Sequence, residues 1–245
     1  MRFSFNKLRK RTLQSTYDLM QEVGDITTCG KTKDGNILRY AWKQTGANIL
    51  AVAHCDTVNC GSDHFFYKDN MVWSSRLDDR LGVYTILDIL PKLNIKIDVL
   101  LTDFEEQGMS TAQFFDPGEK QYNWIFQFDR SGVDAVHYQY VGIKKYLSEF
   151  FDVQQGSFSD IFFMDHLGIC GFNVGTAYYR EHSLGSYANL KELGGQIRKF
   201  QKFYKKYNST RIPYIKRNVK FTKTIEYKGM SIHTSNSPVN TNFYY

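Results

Sequence analysis

Two histidines and four acids, His54, Asp78, Glu105, Glu106, Asp129 and His182, are spaced along this chain in short separate motifs, with Asp56 beside the first. The motifs read AHCDTV, SRLDDRLG, DFEEQG, FQFDRSG and REHS. Imidazoles and carboxylates are ordinary zinc ligands. This set suffices to hold two divalent metals and leaves one carboxylate free to carry a proton. Each fragment alone is weak. In this order they point to a two-metal hydrolase.

Each motif also has a plainer reading. His54 and Asp56 stand two residues apart at the end of the apolar run NILAVAHCD. In a strand both would leave the same face, and the carboxylate could fix the ring orientation. A buried histidine bonded to a structural acid explains that pair equally well. Asp78 and Asp79 open an apolar stretch of helical spacing, where free amides favour carboxylates, so capping competes with the bridging of two cations. Glu105 and Glu106 follow IDVLLTDF, and two carboxylates this close raise one pKa unless cations neutralise them. Asp129 closes another apolar run, and His182 lies in a polar turn. His64, His137, His166 and His233 lack such context and read as structural or surface residues.

The elements that must position these residues follow from apolar periodicity. Residues 7–23 read as one helix. KDGN at 33–36 joins two strands, the second being ILRYAW, and HFFYKDNMVW reads as a hairpin turning at Lys68 to Asn70. RLGVYTILDILPKL reads as a helix that Pro91 limits. NILAVAHCD, IDVLLTDFEE and NWIFQFDR are strands that each end on a candidate ligand, and DAVHYQY is a fourth. KKYLSEFFDVQQ reads as helical, GSFSDIFFMDHLGICGFNVGT as a short helix and a strand, and SYANLKELGGQIRKFQKFYKKY as a long amphipathic helix. The alternation predicts an α/β fold, a three-layer sandwich around a mixed, largely parallel central sheet. Ligands in such folds bind beyond the carboxyl ends of the strands, where the candidate residues fall.

The chain has 245 residues and 42% hydrophobic content, enough for one substantial core. No apolar run approaches the roughly 20 residues of a membrane span, and the basic N-terminus does not read as a signal peptide. Cys29, Cys55, Cys60 and Cys170 show no paired spacing, which suggests free thiols and a cytoplasmic location. The net charge of +6 comes from positions 201–245, with nine Lys or Arg against Glu226 alone. Positions 1–200 hold 22 basic and 24 acidic residues, so a nucleic-acid-binding core is not implied. The boundary is placed so that 1–207 form a catalytic domain and 208–245 a basic C-terminal extension.

From about residue 45 to 200 the chain resembles the co-catalytic zinc peptidases of the aminopeptidase fold, the M28, M42 and M20 families. AHCDTV is similar to their HxD motif, LDDRLG to the bridging-aspartate motif, FEEQG to the paired glutamates, FDR to the single aspartate and YREHS to the late histidine. The resemblance implies one metal bound by His54, Asp78 and Asp129 and another by Asp78, Glu106 and His182. It implies Glu105 as general base and Asp56 as the partner of His54. SFSDI at 157–161 is similar to a loop beside the substrate pocket. Only 21 residues (57–77) separate Asp56 from Asp78, too few for an inserted dimerisation domain, and no lid domain separates Glu106 from His182. The pattern is a single-domain form.

These readings predict a dizinc hydrolase of peptide bonds, an aminopeptidase acting on a peptide or small amide. A small-molecule amidase or deacylase on the same fold, or a non-catalytic metal-binding or regulatory protein, are the alternatives.

Overall fold

The computed structural model describes residues 1–58, 60, 61, 63–138, 140 and 142–215, with the backbone of 223–227 and 230–234. It opens on two helices, α1 (Phe5–Leu13) and α2 (Thr16–Val23), where the apolar spacing suggested one. Ser15 starts the second by accepting the Asp18 amide at 3.1 Å. Arg80 uses the break, donating to the Arg11 and Gln14 carbonyls at 3.0 and 2.7 Å. A continuous helix would need the Arg11 carbonyl for its own ladder.

β1 (Asp25–Lys31) and β2 (Ile37–Lys43) pair across the expected turn, where Gly35 takes φ 83°. β3 (Ile49–His54) is buried throughout. The hairpin of β4 (Phe66–Lys68) and β5 (Met71–Trp73) follows. α3 (Arg80–Tyr84) continues through a π turn at Thr85–Ile89 into a 3-10 turn at Leu90–Leu93, which contains Pro91. β6 (Asp98–Thr102), β7 (Trp124–Arg130) and β8 (Ala135–His137) come next. KKYLSEFFDVQQ is helical only at α4 (Lys144–Leu147), and its end forms the edge strand β9 (Val153–Gln155), parallel to β8. Pairing at an open sheet edge overrides the local helical pattern. α5 (Asp160–Phe163), β10 (Gly171–Gly175) and β11 (Tyr178–Tyr179) lead to β12 (Tyr187–Asn189) and α6 (Leu190–Tyr207). The long helix begins later than its sequence suggests, because Asn189 caps it by accepting the Lys191 and Glu192 amides.

The main sheet has the order β1-β2-β6-β3-β7-β10-β8-β9. Its central strands β6, β3, β7 and β10 are parallel, flanked by antiparallel pairings of β1, β2 and β8. This is the mixed, largely parallel α/β sheet expected. Alternation along β7 separates the layers. Trp124, Phe126 and Phe128 meet Phe200 or Phe203 of α6 on one face. On the other face Gln127 bonds Asp160 of α5. A second, four-stranded sheet, β11-β12-β5-β4, brings the start of α6 beside the small hairpin.

Residues 1–215 form one unit and 216–245 another. Within the first, residues 208–215 pack against the body: Ile212 donates to the Asn123 carbonyl at 3.2 Å and Tyr214 bonds Asp165. In the second, β13 (Lys223–Tyr227) and β14 (Met230–Thr234) form an antiparallel hairpin. Residues 216–222, 228, 229 and 235–245 of the expected basic extension lie outside the described residues, as does the side chain of His233. The four cysteines are unpaired thiols. No described helix is long and apolar enough to cross a membrane.

Candidate metal centre and active site

Strand register sets the floor of the site. Val52 of β3 lies opposite Gln127 of β7, and both strands run two residues further, to His54 and Asp129. There His54 Nε2 and Asp129 Oδ1 are 3.4 Å apart. β6 ends opposite His54 at Thr102, and Phe104 then takes a left-handed φ of 65° that starts a 3-10 turn over Glu105–Gln107. The glutamates therefore stand on a turn and not on the strand's two faces. Asp78 precedes α3, with a cis peptide to Asp79. Asp79 occupies the cap position of α3 but makes no capping bond. Gly82 is required for space, because a Cβ there would lie 1.9 Å from Asp79 Oδ1 and 2.2 Å from the Phe128 carbonyl.

Asp78 lies between the two histidines. Its Oδ1 is 3.3 Å from His54 Nε2, and its Oδ2 is 3.3 Å from His182 Nε2. Glu106 Oε2 approaches His182 Nε2 at 2.8 Å, and Glu105 Oε2 approaches His54 Nε2 at 3.8 Å. Ligand atoms of His54, Asp78 and Glu106 lie within 4.8 Å of one another, as do those of His54, Glu105 and Asp129. These two triads divide the residues differently from the sequence assignment. The nearest-oxygen pairing follows that assignment: Asp78 Oδ1 and Asp129 at His54, Asp78 Oδ2 and Glu106 at His182. All seven sequence-selected residues meet in one place. His54 is 1% exposed as a side chain and His182 47%, so one imidazole is in the floor and the other on the rim.

The donor set suits divalent cations. His54 Nδ1 faces the Asp56 carbonyl at 3.1 Å and its carboxylate at 3.4 Å. A proton held there leaves Nε2 with a lone pair facing two carboxylate oxygens. His54 Nε2, Glu106 Oε1 and Asp129 Oδ1 are buried without a hydrogen-bond partner. Among the protein groups alone, the electrostatics are unbalanced. Burial pushes Glu105 up to about 8, with Asp160, Asp78 and Glu106 adding repulsion. Burial and the Asp78 charge push Glu106 up to about 7. Burial also raises Asp129, and the charges of Asp79 and Asp78 add to it. Asp78 is itself held low: burial opposes its charge, but contacts with His182 and His54 outweigh that. The Asp78 contact draws His182 up to about 9. Burial disfavours a charged His54, yet Asp129, Asp56 and Asp78 together raise it. Cations replace this mutual repulsion with attraction.

Several participants were not legible in sequence. The Asp56 carboxylate accepts the Glu105 and Glu106 amides at 3.2 and 3.0 Å, so it fixes the glutamate turn as well as His54. Asp160, from the SFSDI segment, is fully buried and bonds Thr102 and Gln127 at 2.9 Å each, and Ser110. It thereby holds both ends of the glutamate loop against β7. Asn173 accepts the Asp129 amide at 2.8 Å, and the Tyr178 hydroxyl donates to the Asp129 carbonyl at 2.9 Å. Only three-dimensional register reveals these links. The site opens into a cavity of about 380 Å³ that includes Arg130, Val136, Tyr138, Phe158 and Glu181 in its lining.

No protein-family profile matches the chain, and no curated protein matches it by sequence. Solved structures do. Aminopeptidase PepT from Bacillus cereus aligns over 81% of this chain and 96% of its own, at 11% identity and a TM-score of 0.56. A tripeptidase from Staphylococcus aureus aligns over 82% and 95%, at 11% identity and a TM-score of 0.59. An aminopeptidase from the archaeon Desulfurococcus kamchatkensis aligns over 83% and 94%, at 13% identity and a TM-score of 0.54. The chain has the fold of these aminopeptidases, the fold that its motifs resemble.

Proposed function

We propose that this protein is a two-metal hydrolase of peptide bonds, an aminopeptidase, that uses two divalent ions, zinc by the mixed nitrogen and oxygen character of its donors. The observation that carries this reading is Asp78, whose two oxygens each face a different imidazole at 3.3 Å. His54, Asp78 and Asp129 would hold one ion, and Asp78, Glu106 and His182 the other. When bound, such a pair lowers the pKa of water and polarises a carbonyl. Glu105, raised by burial, accepts the proton of the attacking water and returns it to the leaving amine. Asp56 fixes the ring orientation of His54 and holds the turn that carries Glu105. The unpaired thiols suit a reducing compartment such as the cytoplasm.

Metal analysis with a substrate panel tests the reading. The protein should bind two zinc ions per chain and release amino acids from unblocked aminoacyl substrates. Turnover of N-blocked substrates alone would favour an amidase or deacylase. A protein that binds no metal would overturn the proposal.

A further inference from the structure

Five carboxylates line the cavity: Asp78, Glu105, Glu106, Asp129 and Glu181. The first four surround the two imidazoles, and two divalent cations would balance their charge. Glu181 belongs to neither group. Among the described residues it makes no ion pair within 4.0 Å, and it acts on His182 only through its charge. Nearby cations are already committed. Arg130 pairs with both oxygens of Asp134 at 2.6 and 2.9 Å, and Arg80 turns inward to the Arg11 and Gln14 carbonyls. The cavity is thus left with one negative charge that the protein does not answer.

The backbone holds that charge in place. Arg180 and His182, on either side of Glu181, both adopt left-handed φ values of 57° and 55°. Non-glycine residues persist in that region only where the surroundings impose it. The Ser183 hydroxyl donates to the Arg180 carbonyl at 2.7 Å and closes the turn. The cavity also has an apolar side formed by Val136, Tyr138 and Phe158. Phe158 is 44% exposed, and its ring is braced edge-on by Phe163 at 5.3 Å.

We propose that Glu181 binds the free α-ammonium of the substrate and so selects unblocked N-termini, while the apolar wall receives the first side chain. This rests on the aminopeptidase reading and adds the residue that enforces it. A pair of anilides tests it, phenylalanyl and 3-phenylpropionyl, which share a side chain and differ in the α-amino group. Glu181→Gln should raise KM for the first about ten-fold, the scale of one charge-assisted hydrogen bond, and leave kcat and zinc content near wild type. The second anilide should bind both proteins equally weakly. In a Glu105→Gln background, calorimetric binding of an unblocked dipeptide should weaken by the same factor on adding Glu181→Gln, while its N-acetyl form is unaffected. An unchanged KM, or equal losses for both anilides, would overturn the role of Glu181. A wild-type protein that turns over no unblocked substrate would instead overturn the aminopeptidase reading itself.

Discussion

Two acid-rich regions of this chain are wired in opposite ways. Beside the N-terminal helices, Asp88 meets Lys7 at 2.9 Å and Arg11 at 2.7 Å, and Glu22 meets Arg11 and Lys10 at 2.9 Å each. Each of these carboxylates has a cation supplied by the chain. Around Asp78, four carboxylates crowd two imidazoles, and no lysine or arginine pairs with them among the described residues. Burial opposes the charge of Glu22, yet Lys10, Gln14 and Arg11 hold it down to about 2, whereas Glu105 is pushed up to about 8. Acids that serve the fold arrive with their counter-ions. Acids left without them are placed for something the chain does not itself contain.

The largest effects should come from the uncompensated region. Glu105→Gln is expected to lower kcat about a hundred- to ten-thousand-fold, the range for a general base, with zinc content unchanged. Glu106→Gln should lose zinc at the ion nearer His182. Measuring kcat and bound metal for both variants separates the roles, and the reverse pattern would exchange them.

Asp88→Asn attacks the compensated region. Asp88 and Arg11 are 3% and 9% exposed as side chains, so removing one partner of the buried pair should cost about 3 kcal/mol of stability. Denaturant titration should show that loss, while bound zinc and kcat per folded molecule stay at wild type. A matching loss of zinc would mean that the two regions are coupled, contrary to the contrast drawn here.

Asp129→Asn should act in the opposite direction on stability. Burial and the charges of Asp79 and Asp78 raise Asp129, so neutralising it in chelated protein relieves repulsion. Such function-for-stability exchanges commonly gain about 0.5–2 kcal/mol. The variant should melt higher than wild type in chelator and bind zinc more weakly. A lower melting point in chelator would show that hydrogen bonding of the Asp129 carboxylate outweighs its repulsion.

The same contrast explains what could be read in advance. His54 and Asp129 were legible because apolar strands end on them, and parallel register then brings strand ends together. The type of Glu105 and Glu106 was legible but not their turn, which depends on the left-handed Phe104. Short-range pattern missed the helix break at Ser15, because the long-range partner Arg80 makes it favourable. It missed β9 because only a neighbouring strand makes Val153–Gln155 extended. The reach of Asp56 to two amides about fifty residues away, and the exposure of Glu181 to the cavity, exist only after folding.

The smallest effect distinguishes the two regions by the sign of their pH dependence. The folded value of Glu22 is lowered from 4.5 to about 2, so its contribution is fully present above 4.5 and is lost as pH falls towards 2. Glu105 and Glu106 are raised from 4.5 to about 8 and 7, so in chelated protein stability should instead decline as pH rises through that range. Glu22 is 38% exposed, and solvent screening limits its share to under about 1 kcal/mol. Denaturation midpoints of wild type and Glu22→Gln should therefore differ slightly near neutrality and converge on acidification, with added salt narrowing the gap. A gap that widens as pH falls would mean that Glu22 is not held down by Lys10 and Arg11, and the compensated half of the contrast would fail.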